Sequence, residues 1–511
     1  MIQGLSRRDF LKLASLMSLG IAIPPSVQYL GIPGILQGKK QNVLIVVFDA
    51  LSAYNISLYG YSRETTPNLT RLAKRATVYH NHFAGGSFTT PGTASLLTGT
   101  LPWTHRAIRI NGKVKTSFSN NNIFNTFTDY HRIAYSHNPL VNILLKQFLE
   151  DINEYVPQEK LYLFSDSLIR DLFSKDEDIA SIAWTRIMKH KEDGYSYSLF
   201  LSHLYEKYRE YKVADILELF PYGLPESYGD NYFNLEQGID WTGDRLKNIT
   251  HPFFGYFHFL PPHWPYKPHR DYAGQFANDS WKSLIKPDDL FTDDKSKEFL
   301  HKQRAFYDEF ILNVDSELGR LFNLLESSGI LDNTWVVFTS DHGEMFERGI
   351  WAHETPTFYQ PVIRVPLLIF GPGQQSGQSI YTPTSAIDLM PTLLHVTGHD
   401  IPEWTEGSIL PPYAPLIPPP GKKGIYAVEA RYNDPAAPLV RATVMLVGDN
   451  YKLVYYQGYE ELDLNNERIQ LFNIQTDPEE LIDLSLSKKE TASELLNEIK
   501  TRLKKSDEPY L

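Results

Sequence analysis

Asn42-Val43-Leu44-Ile45-Val46-Val47-Phe48-Asp49-Ala50 is the stretch on which the fold turns. It is an unbroken apolar run with no polar alternation. Such a run fits a strand buried on both faces, as in parallel sheets. The run ends in an acid. A carboxylate at the carboxyl end of a buried strand lies where open α/β sheets bind ligands. A helix N-cap is an equally good use for Asp49.

The same logic returns further along. Thr334-Trp335-Val336-Val337-Phe338-Thr339-Ser340 is a second buried strand, ending in Asp341-His342-Gly343-Glu344. Acid plus imidazole at a strand end is a metal-ligand pair by its chemistry. A capping aspartate beside a surface histidine is the other reading. Pro252 to Leu260 is a third such run, followed by the proline-punctuated loop Pro261-Pro262-His263-Trp264-Pro265-Tyr266-Lys267-Pro268. That loop presents His263 and Lys267 just past a strand end. Val78 to Phe83 and Arg364 to Phe370 read as further strands. Thr66 to Ala73, Phe306 to Ser328 and Ile387 to Leu394 read as helices. The apolar runs fit buried parallel strands, with helices between them.

Just after the strand from Val78 to Phe83 lies Gly85-Gly86-Ser87-Phe88-Thr89-Thr90-Pro91-Gly92-Thr93-Ala94-Ser95-Leu96-Leu97-Thr98-Gly99. It reads as a tight turn feeding a short helix, closed by Gly99. Thr89 or Thr90 stands at the helix mouth and Pro91 suits its first position. A threonine there is a simple N-cap, or a hydroxyl aimed where helix N–H groups favour anions.

Composition narrows the function. The 511 residues are 42% hydrophobic and 22% charged, so the chain is globular. It carries 61 acidic and 49 basic residues, a net charge of −12, which argues against a nucleic-acid backbone binder. An anionic substrate would then need a local positive charge, and a metal ion supplies one. There is no cysteine, which excludes disulfides, thiolate metal sites and cysteine nucleophiles.

Three regions frame the expected catalytic domain at 41–400. At the N-terminus, Ser6-Arg7-Arg8-Asp9-Phe10-Leu11-Lys12 precedes the apolar run Leu13 to Ile23. This resembles a twin-arginine export signal and implies the export machinery as a partner. The expected location is extracytoplasmic: periplasmic, cell-surface or secreted. No clear cleavage site follows, so the segment at 1–40 can also serve as a membrane anchor. Residues 145–250 show charged helical spacing and read as a helical insertion or lid. The proline-rich segment from Pro402 to Gly421 marks a boundary. Beyond it, 401–511 reads as a smaller α+β subdomain with alternating strands and a closing amphipathic helix.

Taken together these motifs resemble the sulfatase branch of the alkaline phosphatase superfamily. The likeness rests on the strand ending in Asp49, Thr66-Pro67-Asn68-Leu69, Thr-x-Pro at 89–91 with Ala94 to Gly99, and Pro262-His263-Trp264-Pro265. It continues through Ser340 to Glu344, Arg364-Val365-Pro366, Asp388 to Thr392, Leu471-Phe472-Asn473 and Asp477 to Glu480. The resemblance implies a doubly wound α/β domain with a mostly parallel sheet and a smaller C-terminal α+β subdomain. It also implies one divalent cation (Ca, Mn, Zn or Mg) held by Asp49, Asp341 and His342. It makes Thr89 both a metal ligand and the nucleophile, with His263 and His353 handling substrate oxygens or the leaving group. Thr90 and Lys267 are candidate substrate contacts.

Three departures matter. Family sulfatases carry Cys or Ser where this chain has Thr89, converted to formylglycine, so no formylglycine is expected here. Their second aspartate is Ala50, and a lysine position is taken by His353. Thr-x-Pro is similar to the nucleotide pyrophosphatase/phosphodiesterase branch. Threonine attacks poorly at its free pKa, but a metal ion lowers the pKa of a bound hydroxyl. A threonyl ester cannot expel sulfate by elimination as a formylglycine hydrate does; it must be attacked a second time. That favours phosphate or phosphodiester chemistry, hydrolysis or transfer, on a small-molecule, glycan or lipid-headgroup ester. The alternatives are an arylsulfatase-like sulfuric ester hydrolase and a non-catalytic binder of sulfated or phosphorylated glycans on the same fold.

Overall fold

Seven residues of unbroken apolar sequence fold as β1 (Asn42–Phe48), buried along its whole length. Val43, Ile45 and Val47 enter one core and Leu44, Val46 and Phe48 the other. A strand apolar on both sides must be covered on both sides, and that sets the architecture. The computed structural model describes residues 40–164, 213–227, 231–414, 424–462 and 466–511, with isolated positions between 203 and 211. The expected signal segment, the insertion from 165 to 202 and the prolines from 415 to 420 lie outside the described residues.

Seven more strands complete the sheet: β2 (Thr77–Tyr79), β3 (His131–Ser136), β4 (Glu154–Val156), β5 (Phe253–Phe259), β6 (Thr334–Thr339), β7 (Leu367–Phe370) and β8 (Gln378–Ile380). The order is β8-β2-β7-β6-β1-β5-β3-β4. Only β7 runs antiparallel to its neighbours; the remaining pairs are parallel. α1 (Pro67–Leu72), α4 (Leu235–Lys247) and α5 (Lys297–Ser327) cover one face. α2 (Thr89–Thr98), α3 (Pro139–Gln147) and α6 (Leu389–Thr397) cover the other. The fold is the doubly wound, mostly parallel sheet that the resemblance implies.

Register delivers the site. Val47 lies opposite both His258 and Thr339, so β1, β5 and β6 end level with one another. The residues that follow, Asp49 and Asp341-His342, therefore emerge side by side.

The C-terminal part is an antiparallel meander of β9 (Ile425–Glu429), β10 (Ala442–Gly448), β11 (Tyr451–Gln457) and β12 (Glu467–Asn473), backed by α7 (Lys489–Asp507). One face packs Val428, Val444 and Leu453 with Ile499 and Leu503 of α7. The other packs Ala427, Met445 and Val454 against Phe83, Phe358 and Ile363.

Some expectations need correction. The stretch 145–250 is not simply a helical insertion. Glu154–Val156 is the edge strand of the main sheet, and α4 packs Leu235, Ile239 and Leu246 into its core. Val78 to Phe83 is not one strand: His82–Phe83 leaves the main sheet to pair with Thr384–Ser385. Among the described residues, no helix is long and apolar enough to cross a membrane.

Candidate active site

α2 begins two residues earlier than its proline suggests. Phe88 is the last extended residue (φ −150°, ψ 171°) and Thr89 is the first helical one. Pro91 is thus third in the helix, still within the turn whose N–H groups lack partners. Thr89 does not cap the helix. Its buried hydroxyl lies 3.3 Å from His342 Nε2 and accepts from Asn138 Nδ2 at 3.4 Å.

Around that hydroxyl stand Asp49, Asp341 and His342, all fully buried, with one ligand atom each within 4.8 Å of the others. Asp49 Oδ2 accepts from Asn138 Nδ2 at 2.6 Å and from His258 Nε2 at 3.0 Å. Its Oδ1 faces His342 Nε2 at 3.4 Å. Asp341 Oδ1 accepts from the Ala50 and His342 N–H groups, and Oδ2 from the Thr93 hydroxyl at 3.4 Å. His342 Nδ1 donates to the Gly343 carbonyl at 2.9 Å, which turns Nε2 toward the two carboxylates, 3.4 Å from Asp49 Oδ1 and 3.7 Å from Asp341 Oδ2. Gly92 makes the approach possible: a Cβ there would sit 2.3 Å from the Asp341 carbonyl oxygen.

Charge balance shows what this group wants. Burial would raise the Asp49 carboxyl, but hydrogen bonds from His258 and His342 outweigh it and hold it well below the usual range. Burial and the Asp49 charge both push Asp341 up. Burial would lower His342, yet the charges of Asp341 and Asp49 carry it up to about 9. Two carboxylates in a dry space draw positive charge. The donor set is two carboxylates, one oriented imidazole nitrogen and a hydroxyl. It fits a divalent cation of the kind bound by oxygen and nitrogen ligands.

Two further histidines close the rim. The His353 ring is 4.3 Å from that of His342, and the His263 ring 4.9 Å from that of His353. His353 Nδ1 is bonded to Glu344 Oε1 at 2.9 Å. Burial, then the nearby His342 and His263 charges, hold His353 well below its ordinary value, so it is neutral. Burial pushes Glu344 up to about 7.

The remaining candidates lie elsewhere. The Thr90 hydroxyl donates to the Ile110 carbonyl. Lys267 pairs with Glu226 at 3.0 Å. Neither contacts the Asp49–Asp341–His342 group. Sequence reasoning missed His258, Asn138, Thr93 and Tyr256. His258 was visible as the one polar side chain inside the run from Pro252 to Leu260. It accepts from the Tyr256 hydroxyl at Nδ1 (2.9 Å), which frees Nε2–H for Asp49. Asn138 had a weaker signal, a capping residue before Pro139; its Oδ1 does cap α3 by accepting from Leu140 N–H.

Comparison with known proteins places the chain in a family. The family described as Sulfatase matches residues 41–155 and 183–399. The one described as N-sulphoglucosamine sulphohydrolase, C-terminal, matches 350–508. The choline-sulfatase of Rhizobium meliloti (strain 1021) is 26% identical over 476 residues, covering 87% of this chain and 82% of its own. The multifunctional alkaline phosphatase superfamily protein PehA of Trinickia caryophylli is 22% identical over 510 residues, covering 87% of this chain and 91% of its own. The phosphonate monoester hydrolase of Agrobacterium radiobacter shares the fold, with a TM-score of 0.65 at 19% identity over 92% of this chain and 96% of its own.

Proposed function

The chain belongs to the sulfatase family and is an ester hydrolase of the alkaline phosphatase superfamily, and from that premise we propose that Thr89 is its attacking group, served by one divalent cation at Asp49, Asp341 and His342. The observation that carries this reading is the Thr89 hydroxyl, buried and 3.3 Å from His342 Nε2 at the edge of the ligand group. A cation bound there supplies charge neutralisation for ester oxygens and makes a neighbouring hydroxyl easier to deprotonate.

The chain's own residues do the rest. Asn138 donates to both Asp49 and Thr89, so it fixes the hydroxyl and leaves a lone pair free for attack. His263, its ring 6.5 Å from that of His342, is the candidate to give the leaving oxygen its proton. His353 is neutral with Glu344 on Nδ1, which leaves Nε2 to accept a proton. It suits the second step, in which water must attack the threonyl ester to release the acid. Acid–base help of this kind contributes ~10²–10⁴-fold, so positioning and charge neutralisation must supply more.

The family match and the choline-sulfatase relative support a sulfuric ester as the substrate. A second reading, a phosphate or phosphodiester, is favoured by one residue. Thr89 cannot expel its acid by elimination, and a second displacement at phosphorus suits it well. The substrate is then a small-molecule, glycan or headgroup ester met outside the cytoplasm, as the Ser6–Lys12 sequence implies.

Nitrophenyl sulfate, phosphate, phosphodiester and phosphonate esters, assayed with several divalent metals, test both points. Thr89→Ala should lose about 10³-fold or more in turnover of the best ester, as nucleophile removal does elsewhere. Thr89→Ser should retain a measurable part of it. Full turnover by Thr89→Ala would end the nucleophile assignment, and the preferred ester decides between sulfur and phosphorus.

A further inference from the structure

The residue that follows Asp49 holds its backbone in the left-handed region. Ala50 has φ 58°, a conformation that an alanine side chain disfavours and that glycine takes freely. A single hydroxyl closes this turn. Tyr307 Oη donates to the Ala50 carbonyl at 2.5 Å and accepts from the Ser52 N–H at 2.9 Å. Ala50, Ser52 and Tyr307 are all fully buried, so water cannot take over either bond.

Tyr307 is well placed to act as a fixed point. It stands on the long helix α5, and its ring is braced by Tyr266 at 5.4 Å and Phe346 at 5.1 Å. The next residue of α5 repeats the grip. Asp308 accepts from Asn55 Nδ2 at 2.7 Å, and its other oxygen accepts from the Tyr61 hydroxyl at 2.6 Å and from Arg63 Nη1 at 2.8 Å. The chain leaving β1 is thus pinned to one helix at 50–52 and again at Asn55, from 253 to 257 positions away in sequence.

Three successive N–H groups of the turn reach three different partners. Ala50 N–H donates to Asp341 Oδ1 at 3.3 Å, Leu51 N–H to Ser340 Oγ at 2.9 Å, and Ser52 N–H to Tyr307. Ser340 Oγ in turn donates to the His342 carbonyl at 2.7 Å. All three ligand candidates therefore meet at this turn: Asp49 begins it, Asp341 accepts from it, and His342 is tied to it through Ser340. An ordinary negative φ at Ala50 would swing the Ala50 carbonyl away from Tyr307 and the Leu51 N–H away from Ser340.

We propose that Tyr307 is a positioning residue for the cation site: it holds Ala50 in the left-handed turn and so keeps Asp49, Asp341 and His342 in register. This rests on the reading of those three residues as cation ligands. Tyr307 acts through the backbone of 50–52.

Ca²⁺, Mn²⁺, Zn²⁺ and Mg²⁺ are titrated in turn by calorimetry into the full-length, chelator-stripped protein, and the ion that binds most tightly is carried to the variants. Tyr307→Phe should weaken its binding about tenfold. Ala50→Gly removes the steric resistance to the turn, so in that background Tyr307→Phe should weaken binding by about twofold or less. The urea midpoint should fall with Tyr307→Phe in both backgrounds, because a buried carbonyl and a buried N–H each lose a partner. A lower midpoint with unchanged affinity would make Tyr307 a packing residue and overturn the proposal. Equal losses of affinity in the two backgrounds would overturn it as well, because the left-handed turn would then not be what Tyr307 holds. If Tyr307→Phe does not fold, the double variant decides: a folded, ion-binding Tyr307→Phe/Ala50→Gly supports the assignment, and failure of both to fold overturns it. A parent protein that binds none of the four ions overturns the cation reading itself, and the role of Tyr307 with it.

Discussion

Asn138 reaches two partners that matter, Asp49 and Thr89, and it was invisible as a site residue because its sequence context reads only as a helix cap. It fills both roles at once: Oδ1 caps α3 while Nδ2 holds the site. Partners of this kind are typically worth ~10–100-fold in metal affinity or activity. Asn138→Ser keeps a capping oxygen but removes the donor, while Asp49 Oδ2 still accepts from His258. The substitution should therefore lower turnover by about 10–100-fold while leaving the thermal midpoint nearly unchanged. Parallel losses of stability and activity would make Asn138 a structural cap alone. Asp341→Asn removes a charge from the donor set, so the purified protein should lose its divalent metal by elemental analysis; stoichiometric metal in that variant would refute the ligand assignment. At this scale the sequence exposed Asp49, Asp341 and His342, because each ends or follows a buried strand. It also offered Lys267 and Thr90, which do not contact that group, because a loop lysine or a second threonine carries no mark of which way it turns. Here the one turns to Glu226 and the other to Ile110.

Elements place these residues, and two contacts between elements carry testable weight. α2 meets the Asp341 loop backbone to backbone at Gly92, where a Cβ would lie 2.3 Å from a carbonyl oxygen that cannot swing away. Gly92→Ala should push α2 off the metal ligands. Overpacking of this kind costs ~1–3 kcal/mol, read as a lower urea midpoint, and turnover should fall further than stability because Thr89 moves with the helix. Retained activity would show that the helix can shift without disturbing the site. α1 is started by a neighbour. Thr66 makes no capping bond to the helix, and Asp315 of α5 accepts from the Asn68 and Leu69 N–H groups at 2.8 Å each. Asp315→Ala strands both donors, so it should cost about 1–3 kcal/mol in denaturant unfolding, with activity per folded molecule intact. Sequence signals found the helix starting at Pro67 but not its cap, because a cap supplied from 247 residues away has no local signature. The same limit blurred 145–250: charged helical spacing concealed β4, a three-residue edge strand too short to show a period.

Across the whole molecule, stability against acid depends on imidazoles that have no access to water. Burial lowers His82, His105 and His137 to about 3 from an ordinary 6.5. His105 shows why most clearly. Its Nδ1 accepts from the Ala107 N–H at 3.0 Å, so Nε2 carries the proton and donates to Ser95 Oγ at 3.2 Å. Ser95 in turn donates to the Pro91 carbonyl at 2.8 Å, inside α2. A second proton on the ring would set two donors against each other at Ala107. The sign follows from proton uptake. Below pH 6.5 the unfolded chain binds a proton at His105 that the folded chain refuses until about pH 3. Stability from this group is therefore complete above 6.5 and is lost as pH falls, by about 1.4 kcal/mol per unit in that window. Asp315 works in the opposite sense. Burial raises it to about 6, so its contribution is present below its ordinary 3.8 and is lost as pH rises through 6. The two effects overlap between pH 4 and 6, so a single-site comparison is needed to separate them. His105→Gln can still accept from Ala107 and donate toward Ser95 but cannot titrate. It should be less stable than the parent at pH 8, and the gap should narrow steadily as urea unfolding is repeated at pH 6 and pH 5. A gap that stays constant would mean that His105 exchanges protons freely in the folded state, and the packing beneath α2 would have to be looser than the bonds to Ala107 and Ser95 allow.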